Sequence, residues 1–273
     1  MAVTFLGVDG EMTGSEIQFG QRIFQLGIAA HTDSDGSVLE TPATISLLFN
    51  PGEYVWTDVA EAVHGFTKDE VNAAIPASEA DDIFVNWLTS RGLSSRKRGE
   101  TIPVGFNIGS FDMPHIQLVL PKTYAFFSRR TVDLNSLCFT LEGKKVKGSP
   151  VSWSTWKSWA SEYARKKIYA DSTHAAAAHD AGYDALLHLH AWRFLQRVIH
   201  DGTILTVDVK MPPEPLKKAL QVLLQEYGLD HVSRVTGVPE VFLKQWNAGG
   251  RATNEEYIKN ILAEYENYLE NTN

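Results

Sequence analysis

The sequence predicts an α/β protein: a mixed sheet flanked by helices over residues 1–200, followed by a small all-helical domain. Three observations predict it. Short apolar runs alternate with stretches of helical spacing as far as residue 199. A segment at 201–215, with three prolines near its end, breaks that alternation and reads as a linker. Residues 216–273 then show helical spacing and no strand pattern.

Each element has its own signal. Residues 4–9 (TFLGVD) are a short apolar run, as in a buried strand. Residues 23–30 (IFQLGIAA) and 44–49 (TISLLF) predict two more strands, the latter stopped by Asn50-Pro51-Gly52. Thr67-Lys68-Asp69-Glu70 has the capping-box pattern and predicts a short helix through about Ala74. Ile83, Phe84, Trp87 and Leu88 predict a helix over 80–90. The polar run 91–100 reads as a loop, and 101–106 (TIPVGF) as a strand. Residues 111–120 predict a helix with Pro114 in its first turn. TVDL at 131–134 is a further strand candidate. Trp153, Trp156, Trp159 and Tyr163 share one face of a helix over 153–169, which suits core packing better than a base-stacking platform. A long helix is expected over 181–199, and shorter ones at 216–227, 231–236, 239–247 and 254–269.

Composition bounds the function. The chain has 273 residues, of which 44% are hydrophobic and 11% aromatic, too rich in both for a disordered chain. No apolar run approaches the roughly 20 residues of a membrane span. The start, MAVTFLGVDGEM, lacks a basic segment and meets Asp9, so no secretory signal is expected. The single cysteine, Cys138, excludes a disulfide within the chain and a Cys-rich zinc site, and a reducing cytoplasm is the expected location. Acids number 33 against 25 bases, a formal charge of −8. That balance argues against non-specific coating of nucleic acid, but not against an enzyme that holds phosphates through metal ions.

Four acids and one histidine carry the chemistry. Asp9 and Glu11 end the first strand, and residues i and i+2 share a face of extended chain. Two carboxylates so placed in low dielectric repel unless a cation lies between them; Asp-Gly alone also fits a simple turn. Asp112, in GFNIGSFDM, follows a strand and could equally cap the next helix. Asp184 lies on a helix among Ala181, Ala185, Leu186 and Leu189, where an unpaired acid is costly. His179 follows four alanines at the entrance of that helix; a lone histidine is more often structural or exposed.

Together these residues resemble the DEDDh 3′→5′ exonucleases, the superfamily of the polymerase proofreading subunit, oligoribonuclease and ribonuclease T. LGVDGEMTG at 6–14 resembles the first motif of that family, GFNIGSFD at 105–112 the second, and HDAGYDA at 179–185 the third. VHGFT at 63–67 is similar to its His-Gly-Ile-Thr segment, and TVDL to its strand after the second motif. Gly10 departs from the pattern, which has an apolar strand residue there. The resemblance covers residues 3–199 and implies a ribonuclease H-like fold and hydrolysis of phosphodiester bonds at single-stranded 3′ ends, releasing nucleoside 5′-monophosphates. It implies Asp9, Glu11, Asp112 and Asp184 as ligands of two Mg²⁺ or Mn²⁺ ions, with Asp9 bridging them. His179 is then the general base. Substrate contacts implied are Met12 and Thr13 at the terminal nucleotide, His64 and Phe66 at its base, and Asn107, five before Asp112 in the second motif. DNA stands ahead of RNA as substrate, although EMTG and the Asn107 spacing lean toward oligoribonuclease.

Other residues compete with these for the same roles. Asp180 neighbours His179, but the motif alignment favours Asp184. His174, His188, His190 and His200 lack matching acids and are expected to be structural or solvated. Asp133 is expected to end a strand. Arg129, Arg130 and the RKR run at 96–98 could track phosphates, with a solvated surface as the plainer reading. In the tail, DHVSRVTGVPEVFLKQWN at 230–247 has helix-turn-helix texture, with Gly237 at the turn and Val232, Val238, Leu243 and Trp246 at core positions. Residues 205–273 hold ten acids against seven bases, poor for phosphate attraction, so a protein partner fits as well as DNA. The competing function is an inactive nuclease-like scaffold that binds DNA or protein through this tail.

Overall fold

β1 (Thr4–Met12) alternates its side chains between two environments, and the fold follows from that alternation. Leu6 and Val8 point into the larger core, while Gly7, Asp9 and Glu11 share the opposite face. The computed structural model describes residues 3–32, 38–170, 181–207, 223–225, 227–236, 238 and 243. Contacts divide the chain into two units, Met1–Thr57 with Lys68–Val209, and Asp58–Thr67 with Lys210–Asn273.

The first unit holds a six-stranded mixed sheet flanked by helices. Its strands are β1, β2 (Ile23–Thr32), β3 (Val38–Asn50), β4 (Ile75–Pro76), β5 (Thr101–Gly105) and β6 (Val132–Asp133), in the order β4-β3-β2-β1-β5-β6. β1 and β2, and β2 and β3, are antiparallel; β5 is parallel to both β1 and β6. Counting the helices of both units in chain order, the first unit begins with α2 (Lys68–Ala73), α3 (Ala77–Ser90), α4 (Asp112–Val119) and α5 (Pro121–Tyr124). α6 (Leu134–Thr140), a hairpin of β7 (Lys145–Val146) and β8 (Ser149–Pro150), α7 (Trp153–Ala170) and α8 (Ala181–Asp201) follow.

Apolar clusters pack on both sides of the sheet. Leu6, Val8, Leu26 and Ile28 pack with Phe84 and Leu88 of α3 and Ile116 of α4. On the other side Trp156 is fully buried among Val104, Leu134, Phe194 and Leu195, and its indole N–H donates to the Leu141 carbonyl at 2.9 Å. Trp153, Trp159 and Tyr163 pack against the same cluster, so the tryptophan stripe is core. Asp133 caps α6 by accepting from the Asn135 and Ser136 amides. Asp81, also buried, accepts the Lys122 and Thr123 amides and the Thr123 hydroxyl at the start of α5, which satisfies its charge away from the four acids.

The structure extends several predicted elements. β1 runs to Met12 rather than Asp9, because Asp9 and Glu11 continue the ladder opposite Gly27 and Gln25. β3 begins at Val38 rather than residue 44, since its early part still pairs with β2, Val38 lying opposite Thr32. α6 and the β7–β8 hairpin carried no periodic signal; they are too short for one.

In the second unit, α1 (Asp58–His64) and the helix Leu229–Thr236 are described. Val232, Val238 and Leu243 are buried, and the Ser233 hydroxyl donates to the Val238 carbonyl at 2.7 Å. Gly237, Trp246, the helix expected at 254–269 and, apart from Leu243, the one expected at 239–247 lie outside the described residues. Among the described residues no helix is long and apolar enough to cross a membrane.

Candidate active site

The site is built where α8 lies directly on β1 and β2. Two strand glycines permit that approach. A Cβ on Gly7 would fall 1.9 Å from the Ala185 carbonyl oxygen, and one on Gly27 would fall 1.9 Å from the Ala181 carbonyl oxygen. No side chain fits between strand and helix at either place. Gly7 and Gly27 lie on the same sheet face as Asp9 and Glu11, since Asp9 pairs with Gly27. Gln25, opposite Glu11, is buried, and its Oε1 accepts from the Ala181 amide at 3.4 Å. The first turn of α8 is therefore seated on the acidic end of β1.

That seating gathers Asp9, Glu11 and Asp184, each with a carboxylate oxygen within 4.8 Å of the others. At that separation and an effective dielectric of ~20, each pair of charges repels by about 3 kcal/mol. Asp112 stands at the first position of α4, 4% exposed, and its Oδ1 accepts from the Gly10 amide at 3.1 Å. It thus holds the backbone between Asp9 and Glu11. Gly10, the departure from the family pattern, serves here as the link between the first and second motifs.

His188 was expected to lack an acid, and the structure corrects this. It lies one turn after Asp184 on α8 and is buried. Nδ1 is 2.8 Å from the Val8 carbonyl oxygen, which can only accept, so the proton sits on Nδ1. Nε2 then lies 3.7 Å from Asp9 Oδ1. The partner comes from β1, which no reading of α8 alone reveals. The available signal was the i, i+4 spacing to Asp184. Gly7, Gln25 and Gly27 were likewise missed; their signal was a small or polar residue recurring on one strand face.

The remaining site residues fall as follows. Met12 is buried in the larger core. The Thr13 side chain is fully buried and its hydroxyl accepts from the Arg22 amide at 2.9 Å. Thr13 also receives the Thr57 amide and hydroxyl on its carbonyl, so its local bonds hold the loop after β1. Asn107 is exposed, adopts a left-handed φ of 58°, and its Oδ1 accepts from Asn135 at 2.7 Å. His64 and Phe66 belong to the second unit, where the buried His64 accepts the Phe66 amide at 3.0 Å and the two rings stand 5.9 Å apart. His179 lies outside the described residues, as do Asp180 and His174.

One neighbouring histidine is perturbed. His115, one turn into α4 and buried, has its pKa lowered to about 4, first by burial and then by the Arg22 charge. It stays neutral at pH 7.

No protein-family model matches the chain, and no curated protein matches it. Solved structures do. Cell-death related nuclease 4 (CRN-4) is 16% identical, with a TM-score of 0.45 over 73% of this chain and 65% of that one. E. coli Exonuclease I in complex with a dT13 oligonucleotide is 16% identical, with a TM-score of 0.43 over 85% of this chain and 46% of that one. The nuclease domain of 3′hExo, described as a DEDDh family member and bound to rAMP, is 14% identical, with a TM-score of 0.45 over 77% of this chain and 98% of that one. The chain therefore spans less than two thirds of the first two.

Proposed function

We propose that this chain is a DEDDh-type, divalent-metal-dependent 3′→5′ exonuclease acting on single-stranded ends, DNA ahead of RNA. The observation that carries this reading is the convergence of Asp9, Glu11 and Asp184 within 4.8 Å. Three like charges at that distance are costly, and a hard cation relieves the cost. The donor set fits: all carboxylate oxygens, the type Mg²⁺ and Mn²⁺ prefer. When bound, such ions would supply an acidified water and positive charge for the phosphate oxygens.

The protein's own residues do the rest. Asp9, Glu11 and Asp184 would supply ligand oxygens; Asp112, which lies outside that trio, is carried over from the second motif as the fourth ligand and fixes the strand through the Gly10 amide. His188 stands beside Asp9, its Nε2 3.7 Å from Oδ1 and its ring fixed by the Val8 carbonyl. His179, carried over from the third motif, accepts the proton of the attacking water at its ring nitrogen and passes it on to solvent. Water attacks phosphorus, the bond to the 3′ oxygen of the preceding nucleotide breaks, that oxygen takes a proton from solvent to become the new 3′ hydroxyl, and a nucleoside 5′-monophosphate leaves.

The test is digestion of 5′-labelled single-stranded DNA, duplex DNA and short RNA with Mg²⁺ or Mn²⁺, alongside Asp9→Asn. Stepwise shortening from the 3′ end is expected with the parent chain, with a loss of about 10²–10³-fold or more in the variant. Equal activity of Asp9→Asn, or no shortening of any substrate, overturns the proposal. In single turnover, His179→Ala is expected to lose about 10²–10⁴-fold. Calorimetric titration with Mn²⁺ separates this reading from an inactive scaffold, which would bind no metal or bind equally well as Asp9→Asn.

A further inference from the structure

At the other end of the sheet the structure joins two basic segments far apart in sequence. A cleft of about 670 Å³ is lined by Arg96, Lys97, Arg129 and Arg130, with Ser128 and the single acid Glu100. All four cations are exposed, and among the described residues none of them forms an ion pair with a carboxylate. In a chain of net charge −8, four exposed cations against one acid make a local field that attracts phosphate.

The cleft is held in place. Arg96 and Lys97 lie on the 3-10 segment Ser95–Glu100, which leads straight into β5. The Ser128 amide donates to the carbonyl of Thr101, the first residue of β5, at 2.7 Å, and the Ser128 hydroxyl accepts from the Arg130 amide at 3.0 Å. Both basic loops are thereby fixed at the starts of the parallel strands β5 and β6. Thr101 pairs with Thr4, five residues before Asp9 on β1. At ~3.3 Å per residue, the cleft lies about 17 Å or more from the acids.

We propose that this cleft binds phosphodiester groups of the nucleic-acid strand about five or more nucleotides from the 3′ end being processed. This rests on the exonuclease reading for the identity of the strand. Guanidinium groups grip phosphate oxygens in pairs, and several such contacts tether a flexible strand while its end is shortened. About five stacked nucleotides, at ~3.4 Å each, span the distance to the acids, and a dinucleotide is too short to engage both places.

The experiment measures binding without chemistry. Fluorescence anisotropy in EDTA compares the parent chain with the variant Arg96→Gln, Lys97→Gln, Arg129→Gln, Arg130→Gln on single-stranded DNA of about 20 and about 2 nucleotides. Removing four phosphate contacts is expected to lower the log–log salt slope for the long strand by about 3, at ~0.7 per cation, and to weaken its binding at least about tenfold at low salt. Binding of the short strand should stay within about twofold. An unchanged slope and affinity for the long strand overturns the proposal. So does an equal loss on the short strand, or displacement of the long strand by equimolar inorganic phosphate or nucleoside monophosphate, which marks a small-anion site. Because binding is read in EDTA, a parent chain that binds the long strand through the cleft but never shortens it sinks the exonuclease reading and leaves the cleft standing.

Discussion

The two ends of the sheet carry opposite charge and are built in opposite ways. At the end of β1, Asp9 and Asp112 are only 7% and 4% exposed, and the group is held by backbone contacts, by the Gly10 amide and by the close seating of α8. At the start of β5 and β6, four cations project from loops into solvent. Buried carboxylates crowded together need rigid support, because position decides whether they share a cation or merely repel. Exposed cations need only be near one another, since their attraction for phosphate is long-ranged and screened by salt. Chemistry at one end therefore requires precise backbone packing, whereas tethering at the other requires only charge density.

Perturbing each end in turn sharpens the comparison. The largest effect is expected from Gly7→Ala. Its new Cβ would lie 1.9 Å from the Ala185 carbonyl oxygen, a backbone atom that can yield only if α8 moves. Overpacking of this kind costs about 1–3 kcal/mol, and a displacement of Asp184 by ~1 Å costs about 10²-fold in rate. Urea unfolding and a 3′-end assay read both; a fully active, equally stable variant would show that the glycine seat does not position the acids.

Next is the pH dependence set by His115. Its folded pKa of about 4 lies below the ordinary 6.5, so the unfolded chain takes up a proton that the folded chain refuses. The contribution is complete above pH 6.5 and is lost as pH falls toward 4, about 3 kcal/mol in all. His115→Phe should flatten that part of the stability profile; the same slope in variant and parent would rule the histidine out as its source.

His188→Gln is expected to act more gently. It keeps an N–H donor for Val8 but removes the ring beside Asp9. A loss of about 10–100-fold in Mn²⁺ affinity is expected. Calorimetry checks it, and an unchanged affinity would mean that His188 only fills space.

The smallest effect on folding belongs to the basic end. Neutralising Arg129 and Arg130 should change stability by no more than about 0.5 kcal/mol, because neither side chain is packed. A large drop in thermal melting temperature would show that these loops help to hold the sheet after all.

Much of the first unit was legible in the residues. TFLGVD, IFQLGIAA and TIPVGF are apolar enough to mark β1, β2 and β5, and the helices over 80–90, 111–120, 153–169 and 181–199 all appear within a few residues of their expected bounds. Asp9 and Glu11 were readable as one face because extended chain has a fixed period of two. Short elements were not legible, α6 and the β7–β8 hairpin among them, since they are set by what they pack against rather than by their own pattern. Nor could sequence spacing decide whether Asp112 merely caps a helix. Its bond to the Gly10 amide, 102 positions away, is a long-range contact.

By itself the sequence determined which groups are present and how each lies on its own element: carboxylates two apart on a strand, an acid four before a histidine on a helix, and two runs of bases in polar loops. These are local facts, governed by backbone periodicity. Only the tertiary structure decided which groups meet. Gly7 and Gly27 let α8 settle onto the strands, bringing Asp184 to Asp9 and Glu11 and His188 beside Asp9. The parallel pairing of β1, β5 and β6 set the basic loops at the far end of the same sheet. Meeting across a hundred or more residues depends on close packing and strand register, and neither is written in any single stretch of chain.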